Sequence, residues 1–127
     1  MNWIDQTVAE FGESIGIPAL ALDAQNQVCM ELQSGGEIRI DYLSEPPFSE
    51  IVVSRSQPLE PEYSTQLREA LRLTDFRCSD RWAVNATVYN DQLVLGMRIP
   101  EREFELNVLE DALSQLTQMH QYTFNRR

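Results

Sequence analysis

The sequence contains no lysine. All 10 of its basic residues are arginines, and 20 acidic residues outnumber them to give a formal net charge of −10. A nucleic-acid-binding protein needs a basic footprint to neutralise phosphates, and this chain carries the opposite sign. Contact with anionic lipid is disfavoured on the same ground. Two readings of the acidity stand side by side: simple solubility, or a partner that presents basic or amphipathic segments. Cysteine is nearly as scarce. Cys29 and Cys78 lie far apart and outside any CxxC spacing, so no disulfide framework exists, and free thiols in a reducing cytosol are expected. No apolar run approaches the ~20 residues of a membrane helix, and the opening residues Met1 to Asp5 form neither a basic n-region nor an apolar signal core. The chain is therefore expected to be soluble and cytoplasmic.

Reactive clusters are missing too. His120 is the only histidine, and it falls on or near the apolar stripe of a helix pattern, where a structural role is expected. No GxSxG or related motif supplies a nucleophile for it. Cys29, Cys78 and His120 have no ligand spacing, and the acids are too dispersed for a calcium loop, so no metal is expected. Carboxylate pairs such as Glu60 with Glu62, or Glu110 with Asp111, arise readily by chance in so acidic a chain. Gly12 and the Gly35–Gly36 pair are isolated and form no phosphate loop. The sequence predicts neither an enzyme nor a cofactor.

What remains is a scaffold. At 127 residues, 43% of them hydrophobic, the chain supports one domain over residues 1–127 with a real core and is too short for two. Trp3, Ile4, Val8, Phe11 and Ile15 recur at helical spacing and predict a first helix over 3–15, with Gly16 as C-cap and Pro18 as stop. Leu20 and Leu22 alternate, then Val28, Met30 and Leu32, then Ile38, Ile40 and Tyr42. Turn signals at Ala24–Asn26 and Ser34–Gly36 separate them, which predicts three short antiparallel strands with one buried face each. Ile51–Val53 adds a further short strand, and Pro58 and Pro61 bracket a loop. Leu67, Ala70 and Leu71 predict a helix over 62–74. Trp82, Val84, Ala86 and Val88 alternate into a turn at Asn90–Asp91, followed by Leu93, Leu95 and Met97, or by Val94 and Ile99 if the other face is buried. Leu109, Ala112, Leu113, Leu116, Met119 and His120 define a last helix over 105–123. The order α-β-β-β-(β)-α-β-β-α predicts an α+β sandwich of an antiparallel sheet with helices.

Two layers of this size cannot bury every one of these apolar residues. Any that remain exposed on an acidic, soluble protein mark a protein-binding surface. The middle helix and the Trp82–Val88 strand suit a two-fold contact as well as they suit core packing.

The element order, small size, acidity and amphipathic last helix resemble the class I type III secretion chaperones, the CesT/SycE-like superfamily, across nearly the whole chain. Trp3-Ile4 with Phe11 and Gly16-Ile17-Pro18 resemble the start of the SycN-type subunit, which chaperones the secretion gatekeeper. Gln33-Ser34-Gly35, Ala70-Leu71-Arg72-Leu73-Thr74 and Gln92-Leu93-Val94-Leu95 do likewise, as do Leu106, Leu109, Ala112, Gln115 and Leu116. The string from Ile15 to Asp23 also matches many effector chaperones.

The resemblance implies a dimer without enzymatic activity. It would bind an N-terminal segment of a secreted gatekeeper or effector in the cytoplasm, hold it extended, and need no ATP. An edge strand adds the substrate backbone while apolar pockets take its side chains. The resemblance places the substrate surface at Trp3, Val8, Phe11, Leu20, Leu22, Val28, Met30 and Ile38. It places the dimer contact at Leu67, Ala70, Leu71, Trp82, Val84 and Ala86, in a homodimer or a heterodimer with a second small chaperone. Two rival readings are a module that sequesters a transcriptional regulator of the secretion system, and a small ligand-binding α+β domain.

Overall fold

A computed structural model of the chain describes residues 3–33, 35–45, 48–59, 68 and 83–125. Helix α1 (Trp3–Ser14) is followed by strands β1 (Gln27–Glu31), β2 (Glu37–Glu45) and β3 (Phe48–Pro58). After the connection to Val84 come β4 (Val84–Tyr89), β5 (Gln92–Pro100), a single 3-10 turn (Glu101–Glu103) and helix α2 (Leu106–Asn125). Arg68, the one described residue of the expected middle helix, is helical.

Helix α1 forms because Ile4, Thr7, Val8 and Phe11 fall on one face and are buried there. It stops at a Schellman turn: Gly16 N–H donates to the Glu13 carbonyl and Ile17 N–H to the Gly12 carbonyl, with Gly16 at φ +81°. The chain then folds back so tightly that a Cβ at Gly12 would lie 2.5 Å from Leu20 Cβ. This corrects the expected strand at Leu20 and Leu22. Pro18 lacks an N–H, Ala19 sits at φ +61°, and the two leucines pack against the core from a loop. Asp23 organises the turn that follows, its Oδ1 accepting from the backbone N–H of Gln25 and Gln27.

The five strands form one antiparallel sheet in the order β1-β2-β3-β5-β4. Asn90 and Asp91 both have positive φ, the turn geometry that matches strand twist in a two-residue hairpin between β4 and β5. Strand β3 is far longer than the expected Ile51–Val53 and reaches Pro58, because it is paired on both sides, to β2 and β5. Leu93, Leu95 and Met97 are buried, and Ile99 joins them by parity; the grouping of Ile99 with Val94 is overturned.

Both helices lie on the same face of the sheet. Helix α2 packs on β3 and β5 and beside α1. Beneath them runs the cross-strand row Val28, Ile40, Val53, Met97 and Val84, every member buried. Phe104, fully buried, stands before α2 with its ring 6.2 Å from that of Trp3. The Tyr42 hydroxyl donates to Glu101 Oε1 at 2.8 Å, tying β2 to the 3-10 turn. His120 is buried, as its position on the stripe predicted.

Candidate functional site

The helix layer does not cover the sheet evenly. One row beyond the buried one, Met30, Ile38, Arg55, Leu95 and Ala86 face the helices in strict cross-strand register. Leu95 is buried, whereas Met30, Ile38, Arg55 and Ala86 are half-buried. Leu20 and Leu22, in the loop between α1 and β1, are further half-buried side chains packed against the core. The result is a partly open apolar shelf on β1, β2 and β3.

Beside the shelf lies an open backbone edge. Tyr42 N–H donates to the Asn26 carbonyl and Leu32 N–H to the Gly36 carbonyl. Antiparallel alternation therefore turns the N–H and C=O groups of the even residues of β1 toward β2, and those of the odd residues outward. Gln27 spends its outward groups on Asp23. The outward groups of Cys29 and Glu31 meet no strand among the described residues. An edge of this kind is a template for a further strand.

Of the residues the resemblance put at the substrate surface, Trp3 is 44% exposed, and Leu20, Leu22, Met30 and Ile38 are half-buried, the last two on the shelf. Val8, Phe11 and Val28 are corrected: they are buried in the core and bind α1 to the sheet. Of the expected dimer contacts, Leu67, Ala70, Leu71 and Trp82 lie outside the described residues. Val84 is corrected in the same way, since it ends the fully buried row, while Ala86 is half-buried on edge strand β4.

Several exposed apolar residues were not among the site residues expected from the sequence. Ile15 and Ile17 stand out where α1 ends, Leu43 at the end of β2, and Val88 and Tyr89 at the tip of the β4–β5 hairpin, Tyr89 being 68% exposed. The one signal for Ile15 is that Gly16, the C-cap, follows it directly. Arg55 and Gln57 went unnoticed because polar residues at core parity read as the end of a strand.

The opposite face of the sheet carries an open groove of about 450 Å³ lined by polar and apolar side chains together, Arg39, Ser54, Asn85 and Arg98 beside Val52, Val94 and Tyr89. Arg39 bridges strands there, donating to Gln27 Oε1 at 3.0 Å and Asp41 Oδ1 at 3.4 Å. Arg98 pairs with Glu50. On the same face the Cys29 thiol donates to Glu37 Oε2 at 3.1 Å, and this bond pushes its pKa up to about 11. Burial pushes the Tyr42 hydroxyl up and holds the Arg55 guanidinium below its ordinary value. No group of His, Cys, Asp and Glu among the described residues could hold a metal ion, and no described helix is long and apolar enough to cross a membrane.

A twisted antiparallel sheet with its helices on one face is the architecture of the type III secretion chaperones. A chain of the ExsC–ExsE complex superposes with a TM-score of 0.73 at 17% identity, over 94% of this chain and 90% of that one. A chain from the complex of the Yersinia pestis secretion chaperone SycH with a fragment of YscM2 gives 0.71 at 15% identity, over 94% and 98%. One from the HopA1–SchA chaperone–effector complex gives 0.71 at 10% identity, over 99% of each. At such identities these likenesses establish the fold. No protein of curated function matches the chain by sequence. The profile of the family described as "Type III secretory system chaperone SycN" matches residues 3–123, and the chain belongs to that family.

Proposed function

We propose that the protein binds an extended N-terminal segment of a secreted gatekeeper or effector in the cytoplasm and keeps it competent for export, without ATP and without chemistry of its own. The observation that carries this reading is the outward-facing backbone of Cys29 and Glu31 beside a half-open apolar shelf. The edge supplies sequence-independent hydrogen bonds and the shelf takes alternate side chains, the division of labour in strand addition. The ordering entropy of a flexible segment is offset by the area it buries. Trp3, Leu20, Leu22, Met30 and Ile38 make the side-chain contacts. The similar solved structures are complexes with ExsE, with a YscM2 fragment and with HopA1, and they favour the same reading.

The protein acts in this proposal as one half of a dimer, either with itself or with a second small chaperone. Leu67, Ala70, Leu71 and Trp82 with Ala86 of β4 form the contact. The exposed Val88 and Tyr89 on the same strand support an interface there.

Co-expression and pull-down against the secretion gatekeeper and effectors of the same secretion system, with and without the companion chaperone, tests the reading. A stoichiometric soluble complex is expected. Binding to none of these proteins, in either arrangement, would remove it.

A further inference from the structure

Arg55 is out of keeping with its surroundings. It sits at core parity in β3, after Ile51 and Val53, with Ile38 opposite it on β2 and Leu95 opposite it on β5. Its backbone is held by α2, since the carbonyl accepts from His120 Nε2 at 2.7 Å. Its side chain is half-buried, and among the described residues the guanidinium makes a single hydrogen bond, to Gln57 Oε1 at 3.2 Å. Arg39 and Arg98 on the other face both have carboxylate partners; among the described residues Arg55 has none. The chain holds 20 acidic side chains, yet of these three arginines the one at core parity is the one without a carboxylate among the described residues. A partly desolvated guanidinium whose one hydrogen bond among the described residues goes to a neutral side chain is costly to keep. The same donors become strong, charge-assisted bonds as soon as a carboxylate arrives.

We propose that Arg55 is a specificity-determining contact for the bound segment: its guanidinium receives a carboxylate that the segment carries among the apolar residues seated on Met30 and Ile38. The inference rests on the proposed binding of an extended secretion-substrate segment and adds the chemistry of one of its side chains. The shelf by itself accepts any apolar residue of suitable size, and an edge strand accepts any backbone. A charge on the shelf floor changes that. It rejects a basic side chain at this position and leaves the guanidinium buried and unpaired beneath a purely apolar one, so discrimination comes from the wrong segments as much as from the right one. The net charge of −10 adds to the contrast, because it disfavours a carboxylate on the segment away from such a guanidinium.

The test uses the full chain, with its companion chaperone if one is required, and overlapping synthetic peptides from the N-terminal regions of the gatekeeper and effectors. Affinities are measured by fluorescence anisotropy. In the tightest peptide, each Asp and Glu is replaced in turn by Asn or Gln. One replacement is expected to weaken binding about tenfold or more, the scale of a hydrogen bond to a charged group. Arg55→Gln is expected to bind the native peptide with the same loss and to be indifferent to that replacement. Arg55→Glu should recover affinity for a peptide carrying Lys at that position. The thermal midpoint of Arg55→Gln is expected to equal or exceed that of the parent, since a desolvated charge has gone. If the parent binds a peptide but no single carboxylate matters, or the losses simply add, the assignment of Arg55 is overturned while the binding function stands. If Arg55→Gln loses its fold, the same cycle run with Arg55→Lys decides by the same criterion. Peptides bound by neither the parent nor the variants would overturn both.

Discussion

His120 on α2 and the Arg55 carbonyl on β3 lie 2.7 Å apart, Nε2 to oxygen. A carbonyl can only accept, so His120 is neutral or charged with its proton on Nε2. Burial favours the neutral form and lowers its pKa from 6.5 to about 4.

This shift makes the protein sensitive to mild acid. The unfolded chain takes up a proton on His120 below its ordinary value, the folded chain only near 4, so stability falls as pH drops from 6.5 to about 4. The full loss from this residue is up to about 3 kcal/mol. His120→Gln keeps a donor near the same place and cannot titrate. Urea unfolding across this range should give a flatter pH profile for the variant than for the parent, and parallel profiles would remove His120 as the cause.

Gly12 should be intolerant of a methyl group. Its Cβ would stand 2.5 Å from Leu20 Cβ and 2.6 Å from the Ile17 carbonyl oxygen, and the latter is backbone that cannot rotate away. Gly12→Ala is expected to cost about 1–3 kcal/mol as an overpacked site, read as a lower urea midpoint with an unchanged slope.

Proline distinguishes the two registers of β1. The Cys29 N–H points away from β2, so Cys29→Pro leaves the β1–β2 ladder whole and removes an edge donor. Met30→Pro deletes a bond within the ladder. Circular dichroism and thermal melts should show Cys29→Pro near the parent and Met30→Pro clearly destabilised, while pull-down of the secretion substrate should already be weakened by Cys29→Pro. Full retention of substrate by Cys29→Pro would exclude strand addition at this edge.

Exposure alone would make Cys29 a reactive thiol, but Glu37 works against it. With the pKa pushed up to about 11, little thiolate exists near neutral pH, and alkylation is slow. In a Cys78→Ser background, Glu37→Gln should speed iodoacetamide labelling of Cys29 at pH 8. An unchanged rate would show that the Sγ–Oε2 contact does not govern this thiol.

The sequence discloses elements whose periodicity is undisturbed. Helix α1, the hairpin of β4 and β5, and α2 stand where their apolar spacing put them; β5 and α2 bury a continuous face, whereas on β4 only Val84 is fully covered. Leu20 and Leu22 misled for a local reason: two alternating leucines look the same in a strand and in a loop pinned by Gly12. Strand β3 misled for a tertiary one, since its second half owes its extension to neighbours on both sides and carries Arg55 and Gln57 where apolar residues were expected. The site was legible in part. Trp3, Met30 and Ile38 were nameable as apolar, but their separation from Val8, Phe11 and Val28 depends on how far the helix layer extends over the sheet, which no single segment encodes.

The strand order has a consequence in time. Strands β2 and β3 close locally, as do β4 and β5, but β3 meets β5 only after the chain has passed beyond the place β5 will occupy and turned back. That contact closes the longest loop in the sheet, and non-local pairings of this kind form late. During synthesis the first three strands must wait, their inner edge open, until the C-terminal hairpin has left the ribosome. A member of a secretion-chaperone family thus passes through an exposed, incompletely paired interval in its own making.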